Sequence, residues 1–124
     1  MIYLDSHVVV WLYAGLVDKF SPSTKNLLNE NEVFISPIVR LELQYLYEIQ
    51  RITDPANVIV ADLANRIGLQ VCEKDFDRVV SQAMTLSWTR DPFDRLIVAQ
   101  AALQEAILVS KDQNILDHYA HARW

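Results

Sequence analysis

Short apolar runs alternate along this chain with longer segments of helical periodicity. Ile2-Tyr3-Leu4, Val33-Phe34-Ile35 and Ile107-Leu108-Val109 are continuous apolar runs, as expected of strands buried on both faces. The run from Leu69 to Cys72 is a further strand candidate, and the tail from Ala122 to Trp124 is a candidate edge strand. The pattern therefore predicts four or five short strands.

Helix-start signals precede most of the segments between these runs. Four segments have a capping residue followed by proline at the first helical position: Ser21-Pro22, Ser36-Pro37, Asp54-Pro55 and Asp91-Pro92. Ser6 and Asp75 are candidate caps of two more helices. The helix that begins after Ser36 is predicted to continue to Arg51, because apolar residues recur along it at helical spacing. A short last helix is predicted over residues 115–119.

Strands that alternate with helices predict an α/β fold with a central parallel sheet of four to five strands flanked by helices. The length of 124 residues predicts one domain that spans residues 1–124. No signal peptide and no membrane-spanning segment is predicted, and the single cysteine, Cys72, is expected to be a buried apolar residue. We therefore expect a cytoplasmic protein.

Four acidic residues lie at positions where an α/β fold of this kind binds its ligands. Sheets of this kind bind ligands beyond the carboxyl ends of their strands, at the point where the strand order reverses. Asp5 ends the first strand and Asp112 ends the fourth, while Glu42 and Asp94 lie near the starts of two helices. Four carboxylates from distant parts of the sequence are therefore predicted to converge in one crevice.

Such a cluster has a chemical implication. Carboxylates a few ångströms apart repel each other, and their burial is costly unless a cation neutralises them. Oxygen ligands without histidine or cysteine favour Mg²⁺ or Mn²⁺ over zinc. One or two such ions can bind a phosphodiester, activate a water molecule and stabilise the leaving oxygen. The cluster therefore predicts metal-dependent cleavage of phosphodiesters.

Each acid also has an ordinary structural interpretation. Asp91 and Asp112 are good helix caps, Asp94 is placed to interact with a helix N-terminus, and Glu42 is placed as an exposed helix residue. Asp5 is placed to begin a turn. The catalytic interpretation therefore depends on the whole combination.

The remaining chemistry-bearing residues give weaker signals. The spacing of His7, His118 and His121 forms no metal-ligand pattern, so we expect surface or partner-contact roles for them. The aromatic residues are interpreted as packing residues, as at three positions: Trp11, Tyr45 and Trp88. Arg95 or Lys111 either binds a substrate phosphate or pairs with the acids, and the sequence leaves both alternatives open.

The net charge is −5, which is unlike the basic surface of most nucleic-acid-binding proteins. Without the four clustered carboxylates, 12 acidic residues would face 11 basic ones. The charge therefore argues against tight, non-specific binding along a duplex, but not against a cleavage pocket.

Four blocks of the sequence together resemble the PIN-domain family, and in particular its VapC-type ribonuclease toxins. In chain order they are Ile2-Tyr3-Leu4-Asp5-Ser6-His7, Ser36-Pro37-Ile38-Val39-Arg40-Leu41-Glu42-Leu43, Asp91-Pro92-Phe93-Asp94-Arg95-Leu96-Ile97-Val98-Ala99-Gln100-Ala101 and Leu108-Val109-Ser110-Lys111-Asp112. The third block is the most specific, and the ordered set spans nearly the whole chain.

The resemblance implies a PIN-like three-layer fold, RNA cleavage that depends on Mg²⁺ or Mn²⁺, a homodimer, and a cognate antitoxin protein that blocks the site. It assigns the family's acidic positions to four residues of this chain: Asp5, Glu42, Asp94 and Asp112. Asp91 would assist them, and Ser6 and Ser110 would support the metal-binding groups. The family often has threonine in place of Ser110 and a second acid soon after Asp112, where this chain has Gln113 and Asn114. One versus two metal ions therefore stays open.

Two alternatives remain at the level of the sequence. A receiver-like phosphoacceptor domain also has a parallel sheet with acids at strand ends, but it needs an aspartate at the end of the third strand, where this chain has Cys72-Glu73. A non-catalytic PIN-like binding module would keep the fold and lose the chemistry.

Overall fold

Five short parallel strands form one central sheet. The structure is a computed structural model that describes residues 1–124. Its strands are β1 (Ile2–Leu4), β2 (Val33–Ile35), β3 (Gln70–Val71), β4 (Ile107–Val109) and β5 (Ala122–Arg123). They lie in the order β3-β2-β1-β4-β5, so the strand order reverses between β1 and β4.

Seven helices connect these strands and flank the sheet. They are α1 (Ser6–Ala14), α2 (Pro22–Glu30), α3 (Pro37–Glu48), α4 (Ala56–Ile67), α5 (Phe76–Ala83), α6 (Pro92–Ala102) and α7 (Gln113–His118), with a 3₁₀ turn at Val17–Lys19. The predicted α/β fold with a central parallel sheet and flanking helices is therefore confirmed. None of the helices combines the length and the apolar character that a membrane span requires.

The centre of the sheet is its most buried part. Leu4 in β1 and both Leu108 and Val109 in β4 are fully buried. In the parallel register, Leu4 lies beside Val109. The backbone N–H of Asp5 then donates to the carbonyl of Val109 at 3.0 Å. The residues that follow β1 and β4 therefore leave the sheet side by side, at one edge.

The end of α3 differs from the prediction. The helix stops at Glu48, and Gln50 takes a left-handed conformation with φ of 63°. The N–H of Arg51 donates to the carbonyl of Leu46 at 2.8 Å, which closes the last turn of the helix. Arg51 therefore lies in the turn after α3, and the prediction that the helix continues to it is wrong.

The buried face of α3 also differs from the expected one. Its buried residues are Val39 and Leu43, whereas Leu41 and Tyr45 are 58% and 49% exposed. The core-packing interpretation of Tyr45 is therefore wrong, because the helix has apolar residues on two faces and only one of them meets the sheet. Trp11 and Trp88 do pack against the main core, as expected.

A buried hydrogen-bond chain fixes α3 against α6. Ser36, the cap of α3, donates from Oγ to Gln100 Oε1 of α6 at 3.0 Å. Gln100 Nε2 donates to Cys72 Sγ at 3.3 Å, and Tyr3 also donates from its hydroxyl to that sulfur at 3.2 Å. Cys72 is buried, as predicted. Glu42 lies on α3 and Asp94 lies on α6. The hydrogen bond between Ser36 and Gln100 therefore helps to fix the distance between these two acids.

We expect Ser36→Ala and Gln100→Leu each to lower the free energy of unfolding by about 1–2 kcal/mol, through loss of a cap and of a buried hydrogen bond. The double variant should lose less than the sum, with a coupling energy of about 1 kcal/mol. Urea unfolding of the four proteins measures the cycle. If the two losses of unfolding free energy simply add, the hydrogen bond between Ser36 and Gln100 contributes nothing of its own to stability.

Candidate active site

A cleft of about 520 Å³ opens beyond the carboxyl ends of β1 and β4. Five carboxylates line it: Asp5, Glu42, Asp91, Asp94 and Asp112. They come from the starts of α1, α6 and α7 and from the middle of α3. The structure thus brings the four predicted acids together and adds Asp91 beside them.

A second, larger groove of about 780 Å³ runs beside β2 and β3. Apolar side chains such as Phe34 and Val71 contribute to its lining, and Glu73 is its one carboxylate. The groove lacks convergent acids, so the smaller cleft is the better candidate for metal-dependent chemistry.

Asp5 is the most buried of the five acids, with 4% of its surface exposed. It caps α1 by accepting from the N–H of Ser6 at 2.8 Å, so the prediction that Ser6 is the cap is wrong by one residue. Ser110 Oγ donates to its carboxylate at 2.7 Å, and His7 Nδ1 lies 3.5 Å from the same oxygen, Oδ2. Burial raises the pKa of Asp5 above its usual range, although His7 and Ser110 oppose the shift.

Ser110 connects the two strand ends. Its Oγ donates to Asp5 and also accepts from the N–H of Asp112 at 3.1 Å. Because Ser110 is fully buried, these two contacts hold the loop after β4 against the loop after β1. The residue that was expected to support the site is thus in contact with two of its acids.

Asp91 and Asp112 are helix caps as well as cleft residues. Asp112 Oδ1 accepts from the N–H groups of Asn114 and Ile115 at 2.8 and 3.2 Å. Asp91 Oδ1 likewise accepts from Phe93 and Asp94 at 2.9 and 3.2 Å. In each case both bonds use one oxygen, so Oδ2 accepts no hydrogen bond from the protein. Asp91 and Asp112 are therefore helix caps, as the capping interpretation expected, and they also line the cleft.

Glu42 reaches the cleft from α3 and is fixed there by Ser6. The hydroxyl of Ser6 donates to Glu42 Oε1. Burial raises the pKa of Glu42, and the charges of Asp5 and Asp91 raise it further. Ser6, expected to be a supporting residue, thus connects α1 to the acid on α3.

Asp94 experiences the whole acidic cluster. Burial raises its pKa from 3.8 to about 7, and Asp91, Asp5, Asp112 and Glu42 each contribute to the increase. Its carboxylate accepts no hydrogen bond from the protein that would offset this effect. Ionisation of Asp94 is therefore disfavoured in the metal-free cleft.

The donor set suits a hard divalent cation. All five acids offer carboxylate oxygens, which are the ligands that Mg²⁺ and Mn²⁺ prefer. No three His, Cys, Asp or Glu side chains of the chain already form a ready-made metal-binding group. The acids are instead held by hydrogen bonds to serines and helix N-termini, with Oδ2 of both Asp91 and Asp112 available to a ligand. The chemistry of the residues fits the ion, although the structure defines no coordination geometry for it.

The family model described as the PIN domain matches residues 2–122. The chain belongs to the PIN-domain family. The receiver-like alternative is therefore wrong. No curated protein matches this PIN domain by sequence.

Two solved structures show the same fold. The VapBC2 structure from Rickettsia felis, bound to a DNA fragment from its promoter, is 20% identical with a TM-score of 0.68, over 99% of this PIN domain and 98% of that chain. A toxin–antitoxin complex from Klebsiella pneumoniae is 12% identical with a TM-score of 0.69, over 100% and 97%. At these identities the likeness establishes a shared fold.

His7 belongs to the cleft, so its expected surface role is wrong. It lines the cavity and its Nε2 accepts from the N–H of Lys111 at 2.9 Å, while Nδ1 faces Asp5. The signal in the sequence was its position two residues after Asp5, which places both on the first turn of α1.

Arg95 and Lys111 do not pair with the acids of the cleft, and a role of either in binding a substrate phosphate stays a prediction. Arg95 Nε donates to the carbonyl of Leu86 at 2.7 Å. Lys111 Nζ lies 5.8 Å from the ring centroid of Trp124. Neither residue lines the cleft of this PIN domain or forms an ion pair with its acids, so the alternative in which they pair with the acids is wrong. The arginine that does line the cleft is Arg51, which no pattern in the sequence indicated.

We expect Asp94→Asn to stabilise the chelator-treated PIN domain by about 1–2 kcal/mol at about pH 8, after allowance for solvent screening. The pKa of Asp94 is higher in the folded state than its ordinary 3.8, so its ionisation destabilises the fold progressively as the pH rises from about 4 to about 7. Denaturant unfolding at about pH 8 and about pH 5 should show that the advantage of the variant shrinks at the lower pH.

Asp18→Asn is the matched control, because Asp18 is exposed and outside the cleft. It removes the same charge and should change stability little at either pH. An Asp94→Asn protein no more stable than the wild type at the higher pH would show that the cluster does not repel as described.

Proposed function

We propose that this PIN domain is a Mg²⁺- or Mn²⁺-dependent endoribonuclease that hydrolyses phosphodiester bonds of RNA. The convergence of Asp5, Glu42, Asp94 and Asp112 in one cleft carries the proposal. Membership of the PIN-domain family supports it independently of that geometry. The four acids are proposed to be both the metal ligands and the catalytic residues.

Asp5, Asp94 and Asp112 would hold the ion, with Glu42 contributing directly or through water. When bound, such an ion stabilises the charge that develops on the phosphodiester and lowers the pKa of water. The repulsion that raises the pKa of Asp94 would then be offset by positive charge.

The side chains of the cleft have two further roles in this proposal. Glu42, where it contributes through water rather than directly, would accept a proton from the attacking water. Ser6 and Ser110 orient Glu42 and Asp5 through their hydroxyl groups, so that these carboxylates keep one geometry during the reaction. Asp91 adds negative charge near Asp94 and fixes the start of α6.

We further infer that the protein is the toxin of a toxin–antitoxin pair, whose antitoxin covers the cleft. Both structures of similar fold come from complexes of this kind, and the likeness covers almost the full length of each chain. The homodimer implied by the family resemblance also stays a prediction, for which α3 offers an exposed face with Leu41 and Tyr45.

A non-catalytic PIN-like binding module is the second candidate. The observation in its favour is that no three acidic or histidine side chains form a ready-made metal-binding group. Calorimetric titration with Mn²⁺ separates the two: the nuclease requires binding that Asp94→Asn weakens, and the binding module requires none.

We expect Asp5→Asn and Asp94→Asn each to lower RNA cleavage by at least about a hundredfold, because each removes a negatively charged ligand of the ion. Gel analysis of a fluorescently labelled single-stranded RNA with Mg²⁺, with Mn²⁺ and with chelator measures the activity. Asp18→Asn should cleave like the wild type. Retained cleavage by purified, folded Asp94→Asn protein would rule out this assignment.

A separate prediction concerns Ser110, which contacts Asp5 and the backbone of Asp112. Ser110→Ala should weaken Mn²⁺ binding by about 10- to 100-fold, since it removes the group that orients the ligands. Ser110→Thr keeps the hydroxyl and should retain most of the affinity. Calorimetry of both variants, with thermal unfolding to verify folding, makes the comparison, and equal affinities for alanine and threonine would contradict the role of the hydroxyl.

A further inference from the structure

One side of the cleft is apolar and cationic rather than acidic. We call it the cleft wall and define it by Val10, Trp11, Leu46, Arg51 and Ile52, all of which line the cavity. Val10 and Trp11 come from α1, Leu46 from α3 and the other two from the turn after α3. This wall is continuous with the acids, so a molecule bound at the acids would also meet it.

Arg51 is the one lysine or arginine that lines the cleft. Its side chain forms no ion pair, although five carboxylates line the same cavity. Arg51 is thus available to an incoming group, and it is not consumed in neutralising the cluster.

The position of Arg51 depends on an uncommon backbone conformation. Gln50 has φ of 63°, which side chains other than that of glycine rarely adopt. This conformation reverses the chain after α3 and lets the N–H of Arg51 bond to Leu46. The backbone bond ties the start of the turn to the helix and keeps Arg51 among the residues that line the cleft.

Trp11 brings an aromatic surface to the same wall. It is half-buried, and its ring lies 5.7 Å from that of Trp124. The Nζ atoms of the exposed Lys19 and Lys111 lie over this ring, 5.0 and 6.0 Å from its centroid, so a base that stacks on the ring must displace a lysine from it. Aromatic rings beside lysine and arginine are the combination that binds unpaired nucleotides, because bases stack on the rings and phosphates meet the cations.

We propose that the cleft wall binds an unpaired RNA nucleotide that flanks the scissile phosphodiester, with Arg51 on a phosphate and the base against Trp11. The proposal rests on the proposed ribonuclease function and adds to it the residues that hold the flanking nucleotide, which must be unpaired for its base to reach Trp11. The planar guanidinium matches a phosphate through two hydrogen bonds. A base within a duplex cannot present its face to Trp11, because that face is covered by its neighbours.

The first test compares Arg51→Ala and Arg51→Lys with Arg40→Ala. Arg40 is an exposed residue of α3 outside the cleft, so its removal makes the same change in net charge. Arg51→Ala should raise the KM for a short, labelled, mixed-sequence single-stranded RNA in Mn²⁺ about tenfold, with a smaller change in kcat. Arg51→Lys should be intermediate, because it keeps the charge and loses the planar geometry. Arg40→Ala should match the wild type.

Fluorescence anisotropy with the same RNA in chelator gives a second readout that does not need cleavage. Arg51→Ala should weaken binding about tenfold and reduce the salt dependence, log Kd against log salt, by about 0.7. Binding and cleavage by Arg51→Ala equal to those of the wild type would overturn the proposal and assign the wall to contacts with a protein partner. Equal affinity for the duplex form of the RNA would overturn its single-stranded part.

The base contact is tested from the side of the RNA, because Trp11 also packs in the core and its replacement risks misfolding. An abasic nucleotide at one position beside the cut should weaken binding to the wild type about fivefold or more. In a folded Trp11→Leu protein the same abasic nucleotide should have no further effect. Unchanged binding for abasic nucleotides at every position beside the cut would overturn the role of Trp11.

The failure of the two proposals gives different results. A wild-type protein that cleaves no RNA with Mg²⁺ or Mn²⁺ but binds single-stranded RNA through Arg51 would overturn the nuclease and support the wall. If the wild-type protein cleaves RNA and Arg51→Ala changes neither cleavage nor binding, the nuclease proposal is supported and the proposal for the cleft wall is overturned.

Discussion

Repulsion among carboxylates is the constraint around which this molecule is organised. Five acids share one cleft, and neutral donors hold four of them: Ser6 and Ser110 bond to Glu42 and Asp5, and the N-terminal amides of α6 and α7 bond to Asp91 and Asp112. Such donors fix positions without cancelling charge, whereas arginine or lysine partners would cancel it. Asp94 alone lacks a hydrogen bond of this kind, and its burial together with the charges of the other four acids raises its pKa to about 7.

The same constraint explains where the nearby cations lie. Arg95 is bonded to a backbone carbonyl, Lys111 is placed over tryptophan rings, and Arg51 lines the cleft without an ion pair. Five of the 16 acidic residues therefore line one cavity, together with a single arginine. The net charge of the protein therefore does not reveal that its acids are clustered in one cleft.

The sequence predicted the parts of this arrangement that follow from local rules. Apolar runs located β1, β2 and β4, proline-containing caps located α2, α3 and α6, and strand ends located Asp5 and Asp112. Arg51 was not predicted as a cleft residue, because its position depends on the left-handed conformation of Gln50. Glutamine has no local preference for that conformation, so the sequence does not indicate it. Tyr45 was misplaced because α3 is apolar on two faces and only the assembled sheet decides which is buried. His7 was missed because its two partners, Asp5 and Lys111, are brought together only by the pairing of β1 with β4.

The strand order also bears on the synthesis of the protein. β1 is the first strand to leave the ribosome and lies at the middle of the sheet. Its neighbour β4 is made more than a hundred residues later. Until β4 arrives, the nascent chain carries Asp5 and Glu42 without Asp112, and the link through Ser110 does not exist. The acidic cleft is thus incomplete until β4 and the residues after it have been made, because Asp112 is the last of its five acids in the order of translation.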